Sequence, residues 1–401
     1  MNATTTERMR AWKGPTILTF GFRPFFFGAG IWATLAMVAW LLIWTGHLAL
    51  PSAFDAVSWH AHEFLFGYLG AVIAGFLLTA VPNWTGRLPI VGWPLGLIAA
   101  LWVAGRIAVA ISGTLPPLAV AAIDLAFPLV FAAAIAREIL AGRNWRNLGV
   151  LAMLGVFAAS NGLYHWDALQ GEFAAQGVGL RLGLGAALMM IALIGGRIIP
   201  SFTRNWLVKR GNGPLPVSPM QRFDRVAILV LLAALLAWTI WPDAPIAGAG
   251  LALAGVLHLV RLLRWQGHRT LAEPLVTVLH LGYLFLPLGA LTVGAEMLAP
   301  GLVGTAAAQH FWMAGAIGMM TLAVMTRATL GHTGQSLSAG PATVAIYAAL
   351  LVAVLARVAA GAWPAEAMLL HTVSGIMWIG AFGGFSLAYG RLLLRPPPKT
   401  A

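Results

Sequence analysis

Long apolar stretches separated by short polar connections run along the whole chain, and this pattern predicts membrane-spanning helices. Twelve stretches have roughly the 20 residues that a helix needs to cross the hydrocarbon. Because a helix satisfies its own backbone hydrogen bonds in lipid, we expect an all-α, polytopic bundle. The predicted helices span 22–46, 59–82, 93–111, 117–136, 148–166, 178–204, 225–241, 246–263, 274–297, 301–328, 341–360 and 365–393.

Composition agrees with this interpretation and excludes a soluble fold. The 401 residues are 60% hydrophobic and 9% charged, and the mean hydropathy is +0.85. Soluble domains carry about 25% charged residues. The polar N-terminus has no apolar signal-peptide core, so we expect the first span to be retained.

The net charge of +12 indicates topology and not nucleic-acid binding. With twelve spans, one side of the membrane receives nearly all basic connections and the other side receives the acidic ones. The basic side contains Arg8, Arg10, Lys13, Arg87, Arg137, Arg143, Arg146, Arg204, Lys209, Arg210, Arg222, Arg225, Arg261, Arg264, Arg269, Arg391, Arg395 and Lys399. The acidic side contains Asp55, Asp167, Glu172, Asp243, Glu296 and Glu366. The positive-inside rule therefore predicts that both termini are cytoplasmic.

An internal repeat is predicted within a single membrane domain, 1–401. Residues 189–197 align with 319–327 without a gap, and His62 aligns with His310 when helix two is matched to helix ten. Helices two, six and ten are spaced four helices apart, which predicts three four-helix repeats at about 15–140, 141–265 and 266–395. Chance recurrence of Gly and Met in apolar helices is the alternative.

Five histidines are candidates for metal binding near the outer surface. A rise of about 1.5 Å per residue places His60, His62, His165, His310 and His371 at a similar depth. The chain has no cysteine, so a redox metal must be held by His, Met, carboxylate or a non-covalent haem. A single membrane histidine is often only hydrogen-bonded within its bundle, but five at one depth favour a metal site.

Helical spacing separates the duties of the histidines at the start of helix two. His60 and His62 point roughly 200° apart, so they do not readily bind one metal. Glu63 is a candidate acceptor for the imidazole of His60, and Asn161 lies one turn from His165. The alternative for Glu63 is a simple interhelical hydrogen bond.

Other polar residues within the spans have open roles. His280, the deepest imidazole, is a candidate haem ligand, proton relay or packed polar residue. Arg197 and Arg327 occupy equivalent positions, where they either reach the cytoplasmic interface or bind an anion such as a haem propionate. Arg106 and Asp124 are predicted to form an ion pair, and His258 is predicted to contact headgroups or loops.

Four segments resemble the NnrS family of bacterial inner-membrane proteins, and the likeness covers nearly the whole chain. They are FRPFF at 22–26, WHAHE at 59–63 continuing to GFLLTAVPNWTG at 75–86, GGRIIPSFTRNW at 195–206, and MTRATLGHTG at 325–334. The resemblance implies a multi-pass protein of the inner membrane that contains haem, of type b, and copper. It also implies a role in protection against nitric oxide or nitrosative stress.

These observations lead to a specific hypothesis for the cofactors. Haem would be held by His62 and either His310 or His371, whereas His60, His165 and Glu63 would hold copper or orient ligands. The expected partners are the lipid bilayer and nitric oxide or a related species, with no nucleic acid; the electron donor and any enzymatic activity are left open. The alternatives are a transporter or metal-handling carrier that uses the same polar residues, and a metal-free sensor or assembly partner.

Overall fold

Twelve long helices form the part of the chain that a computed structural model describes, residues 12–211 and 213–396, and no strand occurs there. All twelve are long and apolar enough to span a membrane. We number them α1 (Phe22–Trp44), α2 (Ala56–Thr85), α3 (Trp93–Ala110), α4 (Pro117–Ala141), α5 (Trp145–Leu169), α6 (Val178–Val208), α7 (Arg222–Ile240), α8 (Pro245–Arg269), α9 (Pro274–Leu298), α10 (Thr305–His332), α11 (Pro341–Ala362) and α12 (Pro364–Leu394).

The predicted all-α class and the predicted number of helices are confirmed. Each predicted helix overlaps one observed helix, because the apolar length fixes the span. The basic residues Arg8, Arg10 and Lys399 lie outside the described residues. Both the three-repeat organisation and the cytoplasmic placement of the termini stay predictions.

Local sequence explains where several helices begin. Proline occupies one of the first two positions of α3, α4, α8, α9 and α11, where its missing N–H removes no helical hydrogen bond. The α2 helix is capped by Asp55, whose carboxylate accepts from the backbone N–H groups of Val57 and Ser58 at 2.9 Å. These signals leave the connections short.

Contacts within the chain define two compact units. Unit 1 contains the described residues of 1–183, 325–336 and 382–401, and therefore includes α1 to α5. Its apolar core includes the fully buried Phe25, Phe26 and Leu77. The Arg23 guanidinium donates to the carbonyls of Leu392, Leu393 and Arg395 at 2.8–3.0 Å, which satisfies the free carbonyls at the end of α12.

Unit 2 contains residues 184–324 and 337–381. Its core is built around Trp312, whose ring is fully buried and meets that of Trp238 edge-on, with centroids 5.4 Å apart. The indole N–H of Trp312 donates to the carbonyl of Leu286 at 2.9 Å. Gly289 leaves the space that the Trp312 ring fills, since a Cβ there would overlap the indole.

Three of the long helices contain a π-helical segment within the described residues: Glu63–Leu69 in α2, Ile191–Gly195 in α6 and Phe311–Gly318 in α10. Such segments widen one turn and free a backbone carbonyl, and they are frequent at functional sites. The α2 segment follows His62 directly and the α10 segment follows His310 directly. The two segments therefore begin at positions that the sequence alignment pairs.

Candidate metal centre

Four helices of unit 1 bring six polar side chains together in an otherwise apolar interior. The group, which we call the polar centre, consists of His62 and Glu63 from α2, Arg106 from α3, Asp124 from α4, and Asn161 and His165 from α5. None of the six is more than 9% exposed. Buried polar groups must be paired or bound to a ligand, so each contact within this group matters.

Asp124 is the hub of the polar centre. One carboxylate oxygen, Oδ1, accepts from the guanidinium of Arg106. The other oxygen, Oδ2, accepts from the Asn161 amide at 2.8 Å, and it lies 3.1 Å from Nε2 of both His62 and His165. Three nitrogens therefore converge on one oxygen.

Glu63 and Arg106 complete the charged part of the polar centre. Oε1 of Glu63 lies 2.7 Å from Nη1 of Arg106 and 3.1 Å from Nδ1 of His62. Oε2 of Glu63 has no hydrogen-bond partner among the described residues. The approach depends on Gly67 in the π segment, because a Cβ there would lie 2.5 Å from Nη1 of Arg106 and 2.9 Å from Oε2 of Glu63.

The charges of the polar centre do not balance when both imidazoles are neutral. Glu63 and Asp124 carry two negative charges, whereas Arg106 carries one positive charge. An uncompensated charge in a low-dielectric interior is costly. A proton on an imidazole or a bound metal cation would neutralise the centre.

The imidazole of His62 faces acceptors on both sides. Nδ1 meets the carboxylate of Glu63, and Nε2 meets both Oδ1 of Asn161 at 3.0 Å and Oδ2 of Asp124. A neutral imidazole carries only one N–H. One nitrogen of neutral His62 thus directs its lone pair at an acceptor oxygen, which is repulsive. A cation bound at Nε2 would remove this repulsion.

The donor atoms have the spacing of a metal site. One ligand atom each from His62, Asp124 and His165 lies within 4.8 Å of the other two. Ligands bonded at about 2.0–2.2 Å to one tetrahedral ion lie roughly 3.3–3.5 Å apart, close to the two observed N–O separations. Two imidazoles and a carboxylate suit copper, zinc or iron better than calcium or magnesium.

Aromatic rings surround the two imidazoles. The centroids of His62 and His165 are 5.2 Å apart, and Phe54 lies 5.5 and 5.6 Å from them. Tyr164 and Phe66 lie 5.4 and 5.2 Å from His62. This apolar wall holds both rings in place and strengthens electrostatic interactions within the polar centre.

The structure separates His60 from His62, as their spacing predicts. The partly buried His60 ring stacks on Trp40 with centroids 4.3 Å apart and contacts Phe64 at 4.7 Å. His62 instead enters the polar centre. Glu63 was expected to accept from His60, but its Oε1 lies 3.1 Å from Nδ1 of the adjacent His62.

The other predicted site residues do not belong to the polar centre. His310, His371, His280 and Arg197 lie in unit 2, and Arg327 lies in unit 1. Nε2 of His280 lies 2.8 Å from the hydroxyl of Thr203, and Nδ1 of His310 lies 2.6 Å from the carbonyl of Ala306. His371, Arg197 and Arg327 are partly buried. The pairing of His62 with His310 or His371 stays a prediction.

Sequence reasoning predicted the Arg106–Asp124 ion pair, which is confirmed, but it did not assign either residue to the site. The available signal was a carboxylate in an apolar span near the depth of His62 and His165. Which side chains of different helices face each other depends on how each helix is rotated about its axis. The spacing of residues along the sequence does not give that rotation.

One expectation was wrong. His258 was expected to contact headgroups or loops, but its ring is fully buried in unit 2 and lies 2.8 Å from the Tyr283 hydroxyl and 3.1 Å from the Ala227 carbonyl. Arg261, counted with the basic connections, is also fully buried and donates to Asp224 at 2.9 Å. The four side chains of Asp224, His258, Arg261 and Tyr283 form what we call the Arg261 network.

The fold and the polar centre define a multi-pass, all-helical membrane protein with a buried set of metal-type ligands. A family profile described as NnrS protein matches residues 16–396. The chain belongs to the NnrS family. No curated protein matches the sequence.

Proposed function

We propose that this protein is an inner-membrane protein of the bacterial nitric oxide response that binds copper at the polar centre and haem b at a second position. The observation that carries the copper assignment is the buried group of His62, Asp124 and His165, which lies beside a second carboxylate, Glu63, and a single arginine. Family membership supports the link to nitric oxide and nitrosative stress.

The residues of the polar centre fit a small ion. His62, His165 and Asp124 would be the ligands, and the Asn161 amide would orient Asp124 through the observed hydrogen bond. Glu63 would accept from Nδ1 of His62, which directs the lone pair of Nε2 toward the ion. When bound, copper supplies one-electron redox chemistry and a binding position for a diatomic ligand.

The same geometry argues against His62 as a haem ligand. Both nitrogens of His62 are engaged within a compact polar group, so a haem iron at Nε2 would displace Asn161 and Asp124. His310 fits the donor chemistry better. Its Nδ1 lies 2.6 Å from the Ala306 carbonyl, and a haem iron would bind through the other ring nitrogen, Nε2.

Metal analysis and electron paramagnetic resonance of the purified full-length protein test the copper assignment. We expect bound Cu(II) with nitrogen couplings from two imidazoles, and His165→Gln should remove one of them. His47→Gln, at an exposed histidine outside the spans, is the matched control. A Cu(II) spectrum that is unchanged in both His62→Gln and His165→Gln would contradict the assignment.

The cellular role is tested separately. A strain without this gene should grow poorly with a nitric oxide donor, and the wild-type gene should restore growth. The gene with His165→Gln should not restore it, whereas the gene with His47→Gln should. Equal rescue by His165→Gln and His47→Gln would show that the cellular role does not depend on the polar centre.

A carrier is the second candidate function, and the interrupted helices favour it. Transporters use broken helices at their binding sites, and α2, α6 and α10 each contain a π segment. Copper uptake into proteoliposomes that depends on Asp124 would support this function. Copper binding without uptake would exclude it.

A further inference from the structure

The hydrogen bonds around Tyr283, in α9 of unit 2, fix the direction in which its phenolic proton points. Nε2 of His258 lies 3.1 Å from the Ala227 carbonyl, which can only accept, so Nε2 carries the one N–H of the neutral imidazole. Nδ1 of His258 is then a bare acceptor, 2.8 Å from the Tyr283 oxygen. Arg261 can only donate, and its Nη1 lies 2.8 Å from the same oxygen. Tyr283 therefore donates to His258 and accepts from Arg261.

The surroundings of Tyr283 exclude water. Four side chains here are fully buried: His258, Arg261, Trp265 and Tyr283. The Trp265 ring meets the Tyr283 ring edge-on, with centroids 4.6 Å apart, and the charge of Arg261 is compensated by Asp224 at 2.9 Å. Among the described residues, the base within hydrogen-bonding distance of the phenol is His258. A proton that leaves Tyr283 is therefore received by Nδ1 of that imidazole.

Tyr164 in unit 1 is equally buried but has a different acceptor. Its hydroxyl donates to the Ser58 carbonyl at 2.7 Å, and its ring is fully buried. A backbone carbonyl accepts a hydrogen bond but is not a base, so oxidation of Tyr164 would leave a phenol radical cation in a low-dielectric interior, which is costly. Oxidation of Tyr283 with transfer of its proton instead places the charge on an imidazolium, an ordinary protonation state of histidine.

We propose that Tyr283 is a redox-active residue that reduces small, uncharged one-electron oxidants such as nitrogen dioxide. One electron passes from the phenol to the oxidant, and the O–H proton moves to Nδ1 of His258. Tyr283 becomes a neutral phenoxyl radical, His258 becomes an imidazolium, and nitrogen dioxide becomes nitrite. An uncharged oxidant suits this position because an ion would have to be desolvated to reach a buried ring in a membrane-spanning helix. The inference goes beyond the proposed function, since neither copper nor haem takes part.

The radical is tested by pulse radiolysis of metal-free, haem-free full-length protein in detergent. Nitrite in the buffer is converted to nitrogen dioxide, and the absorbance of the tyrosyl radical is followed. We expect Tyr283→Phe to remove most of this absorbance. Tyr164→Phe is the matched loss of a buried phenol and should leave the absorbance largely unchanged. A radical yield that Tyr283→Phe does not lower would overturn the proposal.

The proton acceptor is tested with His258→Gln. A carboxamide can accept from Tyr283 and donate to the Ala227 carbonyl, so this variant keeps both hydrogen bonds but has no basic nitrogen. A positioned base typically accelerates a proton transfer by about 10²–10⁴-fold, and we expect the radical to form at least about 10-fold more slowly in His258→Gln. An unchanged rate in a variant that keeps the wild-type melting temperature would show that His258 is only a packing partner.

A measurement on the wild-type protein keeps the test independent of how the variants fold. A second nitrogen dioxide adds to a phenoxyl radical and gives 3-nitrotyrosine, which peptide mass spectrometry locates among the five tyrosines of the chain. We expect at least about 10-fold more nitration at Tyr283 than at Tyr164. Equal or lower nitration at Tyr283 would overturn the proposal. Because the protein carries neither copper nor haem in these experiments, failure of the copper assignment would leave the result unchanged.

Discussion

Arg106 in unit 1 and Arg261 in unit 2 are both buried, and each pairs with an aspartate, but their surroundings differ in charge. Arg106 contacts a second carboxylate, Glu63, so two carboxylates share one arginine, and their charges are balanced only when an imidazole is protonated or a cation is bound. Arg261 instead donates to two neutral oxygens, the Ala192 carbonyl at 2.9 Å and the Tyr283 hydroxyl at 2.8 Å.

The histidines differ in the same way. Both nitrogens of His258 have partners that suit a neutral ring, the Tyr283 hydroxyl and the Ala227 carbonyl. His62 and His165 instead converge on Asp124, which leaves a place for a cation. A buried Arg–Asp pair is thus weak evidence for a site, whereas unbalanced charge with convergent nitrogen donors is strong evidence.

The largest expected effect on this comparison comes from replacing the buried arginine of each unit, Arg106 or Arg261. Arg261→Met leaves the buried Asp224 with only the more distant Arg264, at 3.8 Å, as a cationic partner, and we expect a loss of about 3–5 kcal/mol in the free energy of unfolding. Arg106→Met leaves two buried carboxylates without their guanidinium partner, so the metal-free protein should lose a similar amount. Thermal unfolding of the purified variants measures both effects.

Copper distinguishes the two arginine variants. A metal that binds only the folded state stabilises it by mass action. Copper should therefore raise the melting temperature of Arg106→Met by more than that of the wild type, because the cation replaces the lost charge. Arg261→Met should respond as the wild type does. An equal response from both variants would mean that the polar centre is a structural network like that of Arg261.

Removing one carboxylate sharpens the comparison at the ligand level. Asp124→Asn removes the carboxylate on whose Oδ2 three nitrogens converge, and we expect copper affinity to fall at least about 100-fold. Asp224→Asn is the matched change in the Arg261 network and should destabilise the protein while leaving copper affinity within about 2-fold of wild type. Equilibrium dialysis against a copper chelator measures the copper affinity of both variants.

The fold was predictable from sequence because apolar length and proline positions are local properties. The twelve helices follow from them, as Pro117 and Pro274 illustrate at the starts of α4 and α9. Part of the polar centre was also predictable, since rise per residue alone brings His62 and His165 to one depth.

The rest of the polar centre depends on how each helix is rotated about its axis. Arg106 and Asp124 meet His62 because Gly105 allows close approach: a Cβ there would lie 2.6 Å from Oδ1 of Asp124. Arg261 looked interfacial because it stands near a helix end in a basic segment. Its burial follows from Gly196, where a Cβ would overlap the guanidinium.

A smaller effect is expected at the residue that orients the ligands. Asn161→Ala removes the amide that donates to Asp124 and whose oxygen lies 3.0 Å from Nε2 of His62, without removing a predicted ligand. Mutation of a residue that hydrogen-bonds to a metal ligand typically lowers metal affinity by about 10–100-fold. Copper should still bind, with a lower affinity and both nitrogen couplings present in its spectrum. Loss of a nitrogen coupling would show that Asn161 acts on more than orientation.

The smallest effect concerns carbonyls in the π segments that accept hydrogen bonds from side chains. In α2 the Gly67 carbonyl accepts from the Trp102 indole at 2.9 Å, and in α6 the Ala192 carbonyl accepts from Arg261. Trp102→Phe removes the first donor, and we expect a loss of about 1 kcal/mol in the free energy of unfolding beyond the change in packing.

Trp32→Phe provides the matched control for that packing change, because the Trp32 ring meets the Trp102 ring edge-on. The buried indole N–H of Trp32 has no hydrogen-bond partner in the described part of the chain. Removing an unpaired donor should be close to neutral. The difference in denaturant midpoint between the two variants therefore isolates the bond to the π segment. Equal midpoints would show that the widened turn of α2, unlike that of α6, does not depend on a side-chain donor.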